Sequence, residues 1–281
     1  MKKKRLIGKI IYHVLVCGLG LVMIYPLVWM IMSSFKPTST IFTTAGQLIP
    51  TQFVFENYVN GWKGFAKITF ATFFKNSLFI SIVATMGTLI SSSLVAFGLS
   101  RCKFFGRRAL FVAMLLSMML PAQVLMIPQY LWYQKLGWVG SYKPLIIPYF
   151  FAIQGFFVYQ ISNFIDGIPR ELDEAAKIDG CNIMQTLVLV LVPMLWPAMV
   201  SAGLFQFMWS SNDFMGPLLY VNSPARYPAT LFVRMSMDAD TGFAWNRVMA
   251  VSLISIIPSL VVFFLAQRQF MDGVTAGAVK G

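Results

Sequence analysis

Residues 168–193 read IPRELDEAAKIDGCNIMQTLVLVLVP, a run of charges set inside an otherwise apolar chain. Glu171, Asp173 and Glu174 fall where the positive end of a helix macrodipole favours acids, just after Pro169, which suits a first helical position. Arg170 and Glu174 are four residues apart, as are Asp173 and Lys177, so each couple can pair across one helical turn. Gly180 lies where a glycine closes a helix. The spacing predicts a short polar helix that ends at Gly180. Leu172, Ala175 and Ala176 give it one face of little bulk. A small face flanked by charges suits docking into a cleft of another protein; the other reading is an amphipathic loop helix lying on a membrane.

Catalysis within the chain has little to work with. His13 is the single histidine, near the inner end of an apolar run, where it reads as packed or interfacial. There is no HExxH, no G-x-S-x-G and no pair of acids inside an apolar run, so hydrolysis lacks its nucleophile, base or metal ligands. There is no GxxxxGK[ST], so the chain has no P-loop of its own for ATP. Cys17, Cys102 and Cys181 form no CxxC and show no metal spacing, and they read as free thiols. No cofactor or metal site is expected.

The elements that must hold the polar run are membrane helices. The chain has 281 residues, 58% hydrophobic and 11% charged, against about 45–50% and about 25% for soluble domains. Six stretches approach the ~20 apolar residues that a crossing helix needs: Ile10–Met32, Asn76–Leu99, Ala109–Leu131, Pro144–Phe164, Leu187–Trp209 and Val248–Ala266. None alternates with the period of a barrel strand, so the expected fold class is an all-α membrane protein with six transmembrane helices. The first stretch is longer than a signal-peptide core and no cleavage site follows it, so it reads as a retained helix.

The net charge of +12 raises nucleic-acid binding as one reading and membrane topology as the other. The basic residues sit at the ends of spans rather than along one soluble face, which favours topology, with no nucleic-acid partner. With the N-terminus inside, MKKKR, the hairpin Arg101–Arg108, Arg170, Lys177 and the C-terminal tail all face the cytoplasm, as the positive-inside rule requires. Trp29, Trp132, Trp138, Trp209 and Trp245 then fall near outer ends, where interfacial tryptophans gather. The outer loops Ser33–Lys75 and Ser210–Arg247 hold Gly, Pro and aromatics and are expected to be ordered. Lys36, Lys63, Lys67 and Lys75 make the first of them basic, a weak pointer toward an acidic ligand.

Within the second span, Ala84, Thr88, Ser92 and Ala96 form a small-residue stripe that lets another helix approach closely, inside this subunit or from another. Pro121, Pro128, Pro193 and Pro197 free backbone carbonyls in spans three and five, which persist at membrane depth only beside protein or a wet cavity. Gln154, Gln160, Asn163 and Gln206, with Asn212 and Asp213 at the outer end of span five, are the polar residues expected along a substrate path. The alternative for each is an interhelical hydrogen bond.

Three stretches carry a family resemblance. Glu174-Ala175-Ala176, Gly180 and Val190-Leu191-Val192-Pro193 are similar to the EAA motif of permease subunits of binding-protein-dependent ABC importers, with Val in place of Ile and Leu. WSSNDFMGPLLYV (Trp209–Val221) and RQFMDGVTAGAVKG (Arg268–Gly281) resemble the maltose-type carbohydrate branch, and the likeness runs through nearly the whole chain.

The resemblance implies a permease subunit of an ATP-driven importer of di- or oligosaccharides, forming half of the pore. The polar helix would be a cytoplasmic coupling helix between helices four and five, contacting the ATPase through Glu174, Ala175, Ala176, Asp179 and Gly180. The tail would reach the ATPase through Gly277, Val279 and Lys280. Implied partners are a second homologous permease, two ATP-binding subunits holding ATP and Mg, an extracellular substrate-binding protein and the lipid bilayer, at a bacterial cell (inner) membrane with both termini cytoplasmic. The implied division is 1–74 for the first helix and outer loop, 75–267 for the core transmembrane domain and 268–281 for the tail. Alternatives are an ion-coupled secondary transporter, and the same importer class carrying a polyol, a sugar phosphate ester or an acidic glycan. Ion-coupled transporters usually bury charges inside spans, and spans two to six have no central charge.

Overall fold

A computed structural model describes residues 2–65, 67–237 and 244–278, with side chains over 8–65, 67–237 and 244–269. In chain order the helices are α1 Lys2–Ser33, α2 Glu56–Trp62, α3 Phe70–Arg101, α4 Arg107–Met118, α5 Ala122–Lys135, α6 Lys143–Ile146 and α7 Gly155–Asp166. They continue as α8 Glu171–Ile178, α9 Ile183–Met194, α10 Trp196–Asn212, α11 Met215–Tyr220, α12 Ala229–Met235 and α13 Trp245–Ala278. Among the described residues there is no β-strand, only a bridged turn between Phe65 and Ile68.

Four stretches are long and apolar enough to cross a membrane: Gly8–Ser33, Phe70–Arg101, Lys143–Asp166 and Trp245–Gln269. The straight spans expected over Ala109–Leu131 and Leu187–Trp209 are instead bent helix pairs. α4 and α5 meet at 104°, and α9 and α10 at 80°, so among the described residues the candidate spans number four, or up to six if each bent pair is one span. Prolines cause both bends. Pro121 stands before α5 with extended backbone, φ −62 and ψ 130, and a proline drives the residue before it out of helical geometry. In the other pair Pro193 and Pro197 flank Leu195, and the stretch Thr186–Leu191 widens into a π-helix; a proline removes the donor that a continuous ladder needs.

Contacts divide the chain into two units, Met1–Ala71 with Phe232–Ile256, and Thr72–Leu231 with Ile257–Gly281. In the first unit, the 18-residue apolar window of α1 has no buried residue, so this helix needs lipid or protein cover. The loop after α1 is ordered around buried polar groups. Lys36, 2% exposed, donates from Nζ to the carbonyls of Thr44 at 2.9 Å and Gln47 at 2.6 Å. Asn57 donates to the carbonyls of Ser34 and Lys36 and accepts from Asn246 Nδ2 at 2.6 Å. Lys36 is thus consumed in folding its own loop, which removes one of the lysines read as a pointer toward an acidic ligand.

In the second unit the stripe Ala84, Thr88, Ser92 and Ala96 is buried within the subunit, so its small side chains serve packing inside the chain. Gly87, on the same helix, faces the Phe150 ring so closely that a Cβ there would come within 2.7 Å of it. Ala96 and Phe97 of α3 join Val158, Ile161 and Ile165 of α7 and Leu187 and Leu191 of α9 in one apolar cluster. That cluster fixes the ends of α3 and α7, from which α8 is hung.

Candidate coupling helix and polar cavity

The helix expected from the charge pattern is α8, Glu171–Ile178. It starts two residues after Pro169, with Arg170 as its N-cap and Glu171, Asp173 and Glu174 in its first turn. Its end is a Schellman motif. The Cys181 N–H donates to the Ala176 carbonyl at 2.9 Å and the Gly180 N–H to the Lys177 carbonyl at 3.1 Å, with Gly180 left-handed at φ +85. Asn182 and Gln185 then close a reciprocal capping box at 2.9 and 2.8 Å and open α9. One helix therefore stops and the next starts within four residues, all with bonded termini. This makes a stiff joint between α8 and the bent pair α9–α10.

Arg101, the last residue of α3, holds α8 to the bundle. Its Nη2 donates to the carbonyl of Ile165 at 3.1 Å, in the last turn of α7, and to that of Ile168 at 2.6 Å, just past the helix end. Its Nε lies 2.9 Å from Asp173 Oδ2, with side-chain exposures of 7% and 24%. Arg170 Nη2 reaches the Ser100 carbonyl at 3.4 Å. The expected couples Arg170–Glu174 and Asp173–Lys177 do not form among the described residues. A guanidinium already fixed by two carbonyls offers Asp173 a partner that costs little further side-chain entropy, whereas an exposed Lys177 must be ordered in water for at most about 1 kcal/mol.

The two faces of α8 differ in consequence. Ala176 is 5% exposed and packs inside the subunit, which corrects its expected place on the outward face. Glu174, Ala175, Lys177, Asp179 and Gly180 are exposed. Ile178 joins them at 86% exposure, a large apolar side chain on a polar helix that the sequence reading passed over. The signal was available, since residues 174 and 178 are one turn apart on the same face. Of the tail residues, Gly277 lies in the last turn of α13, which stays helical beyond Ala266; Val279 and Lys280 lie outside the described residues.

The expected path residues separate. Gln154 and Asp213 come together on a cavity of about 720 Å³, whose lining also includes Gln129, Tyr133, Tyr149, Phe156, Trp209 and Tyr220. Gln160, Asn163, Gln206 and Asn212 are not on its lining. Gln206 is fully buried and donates to Ser210 Oγ at 2.8 Å; Asn212 turns back onto the Met208 carbonyl at 2.9 Å. Asp213 ends α10. Its Oδ1 accepts from the Gly216 N–H at 3.0 Å, and Thr230 Oγ1 donates to its carbonyl at 2.9 Å. Burial pushes its carboxyl above the ordinary range, and the Gly216 and Met215 N–H groups oppose that shift. The aromatic walls were illegible as a site, because in sequence an interfacial tryptophan and a lining one look alike.

This arrangement of apolar helices, two bent pairs and one clamped polar helix belongs to a transport subunit of a multi-pass membrane protein. The chain is a member of the binding-protein-dependent transport system inner membrane component family, whose model matches residues 87–270. It is 31% identical over 279 residues to the diacetylchitobiose uptake system permease protein DasC of Streptomyces coelicolor, across 99% of this chain and 100% of that one. It is 31% identical over 263 residues to the trehalose/maltose transport system permease protein MalG of Thermococcus litoralis, across 94% of each. Its fold matches a chain of a bacterial ABC transporter involved in the import of the acidic polysaccharide alginate, with a TM-score of 0.82 at 23% identity, over 96% of this chain and 98% of that one.

Proposed function

We propose that the chain is one of two permease subunits of an ATP-driven importer of oligosaccharides, and that α8 is the helix through which ATPase subunits move it. The observation that carries this reading is α8 itself: a charged helix clamped from behind by Arg101 and presenting Glu174, Ala175 and Ile178 outward. The family and the sugar-importing relatives support the cargo class.

ATP and Mg bind the ATPase partners, and this chain holds neither. When those subunits close, a cleft on them carries α8 along. Glu174 supplies a charge-assisted contact, Ile178 an apolar anchor, and Gly180 the sharp turn beyond the docked face. Because α8 is bonded to α3 and α7 through Arg101 and runs into the capped start of α9 after only four residues, its displacement becomes a displacement of helix ends. A second permease completes the pore, and an extracellular binding protein delivers the sugar. The N-terminus, the Arg101–Arg108 hairpin, α8 and the tail face the cytoplasm of a bacterial cell.

The test is reconstitution of this chain with its partner permease, ATPase and binding protein in proteoliposomes. Expected is ATP-dependent uptake of the oligosaccharide that the binding protein retains, abolished by Glu174→Lys while ATP hydrolysis persists. Uptake without ATP, driven by a proton gradient, would establish an ion-coupled carrier instead. Wild-type uptake by Glu174→Lys would remove the coupling role of α8.

A further inference from the structure

The cavity beside α10 has a chemistry that the movement of α8 does not use. Its volume, about 720 Å³, lies within the ~300–1,000 Å³ of small-molecule sites. Its lining pairs flat aromatic rings with hydrogen-bonding groups. Trp209 is braced by Phe157, with ring centroids 5.1 Å apart, and by Phe156 at 5.8 Å, yet remains 46% exposed. Tyr133 and Tyr220, also on the lining, meet edge to face at 5.3 Å. Gln154 and Asp213 line the same cavity.

Among the described residues, Asp213 is the only charged one on the lining. It is held hard in place: a Cβ on residue 216 would come within 2.4 Å of its Oδ2, so the carboxylate has its seat only because that residue is glycine. Capping α11 explains the bond from the Gly216 N–H, which an Asn or Ser would accept equally well. Capping does not explain a half-buried carboxyl group opening on an aromatic-walled cavity, in a chain where 11% of residues are charged.

We propose that this cavity is a subsite, contributed by this chain, for an uncharged glycosyl residue of the cargo. A pyranose has one face of C–H groups and a rim of hydroxyls. The C–H face fits against Trp209, and neighbouring hydroxyls donate to Asp213 and exchange hydrogen bonds with Gln154. A uronate or a sugar phosphate would bring a second negative charge beside Asp213 at low dielectric, where like charges repel most strongly. The subsite therefore selects neutral over acidic glycans. This inference rests on the importer reading and adds the side of the charge divide on which the cargo falls.

The experiment uses the whole importer in proteoliposomes, with its binding protein loaded with tritiated maltose, diacetylchitobiose or digalacturonate. Wild type and variants share one binding protein, so its own selection cancels from the comparison. Expected is that Asp213→Asn lowers neutral-disaccharide uptake by about tenfold or more, the scale of losing a hydrogen bond to a charged group. It also raises the ratio of digalacturonate to neutral uptake by a similar factor. Trp209→Leu and Gln154→Leu also lower neutral uptake and carry the test if Asp213→Asn does not assemble. Neutral uptake within about twofold of wild type in all three overturns the subsite. Lower uptake with an unchanged ratio assigns Asp213 to capping α11 and overturns the selection. Failure of the wild-type complex to take up any of the three sugars under ATP strikes instead at the cargo of the importer reading.

Discussion

The Nε of Arg101 lies 2.9 Å from Asp173 Oδ2 while the Nη2 of the same guanidinium donates to the carbonyls of Ile165 and Ile168 at the C-terminal end of α7. One cation thus joins the end of α3, the end of α7 and the front of α8. Its side chain is 7% exposed, so little water competes for any of the three.

Removing Arg101 should therefore cost more than an ordinary surface charge. Arg101→Met removes the cation beside Asp173 and the side-chain donor to the Ile168 carbonyl, and breaking a largely buried pair costs about 3–5 kcal/mol. Arg101→Lys should recover only part of this, because an ammonium cannot reproduce the planar fork. Thermal melts of the purified complex, read with uptake, check both; an unchanged melting temperature in Arg101→Met would deny the clamp.

Gly180 and Ile178 should separate strain from docking. No atom lies within 4 Å of a Cβ added at Gly180, so Gly180→Val acts through its left-handed φ of +85, at a cost of about 1–2 kcal/mol. It should lower uptake and stability together. Ile178→Asp, at an exposed position, should leave the melting temperature of the isolated chain unchanged and weaken its co-purification with the ATPase. Equal co-purification of Ile178→Asp and wild type would place the docking face elsewhere.

Gly87→Ala should destabilise the chain by about 1–3 kcal/mol, the range for overpacking, because the Phe150 ring occupies the space of the new methyl group. The double variant Gly87→Ala with Phe150→Leu should regain part of the loss. A melting temperature for Gly87→Ala equal to wild type would show that the ring moves freely.

Acidic pH should loosen the preference for neutral sugars. Burial raises the Asp213 carboxyl above its ordinary range, so it takes up its proton at a higher pH than an exposed aspartate near ~3.9. The titratable groups facing it are the phenols of Tyr133, Tyr149 and Tyr220, which carry no charge in acid. As pH falls through the Asp213 transition, the ratio of digalacturonate to maltose uptake should rise in wild type and stay flat in Asp213→Asn. Parallel profiles in the two proteins would remove Asp213 as the source.

Much of the fold could be read along the chain because its signals are short in range. Apolar runs longer than a bilayer is thick must become membrane helices, since no other open structure satisfies the backbone in lipid. The start, stop and polar character of α8 follow from Pro169, the acids after it and Gly180, all within one dozen residues. The Glu174-Ala175-Ala176 pattern was enough to point to the family.

Tertiary structure decided what distant residues do to each other. Asp173 turned away from Lys177, four residues along the chain, to Arg101 on another helix, because a preorganised and desolvated partner outcompetes an exposed one. Ala176 faced inward and Ile178 outward only once α8 had a fixed side against α3 and α7. Prolines that read as freeing backbone carbonyls became bends of 104° and 80°, and six scattered polar residues reduced to Gln154 and Asp213 on one cavity. Composition and helical period prescribe which elements form; which faces meet is set by packing, where each contact depends on all the others.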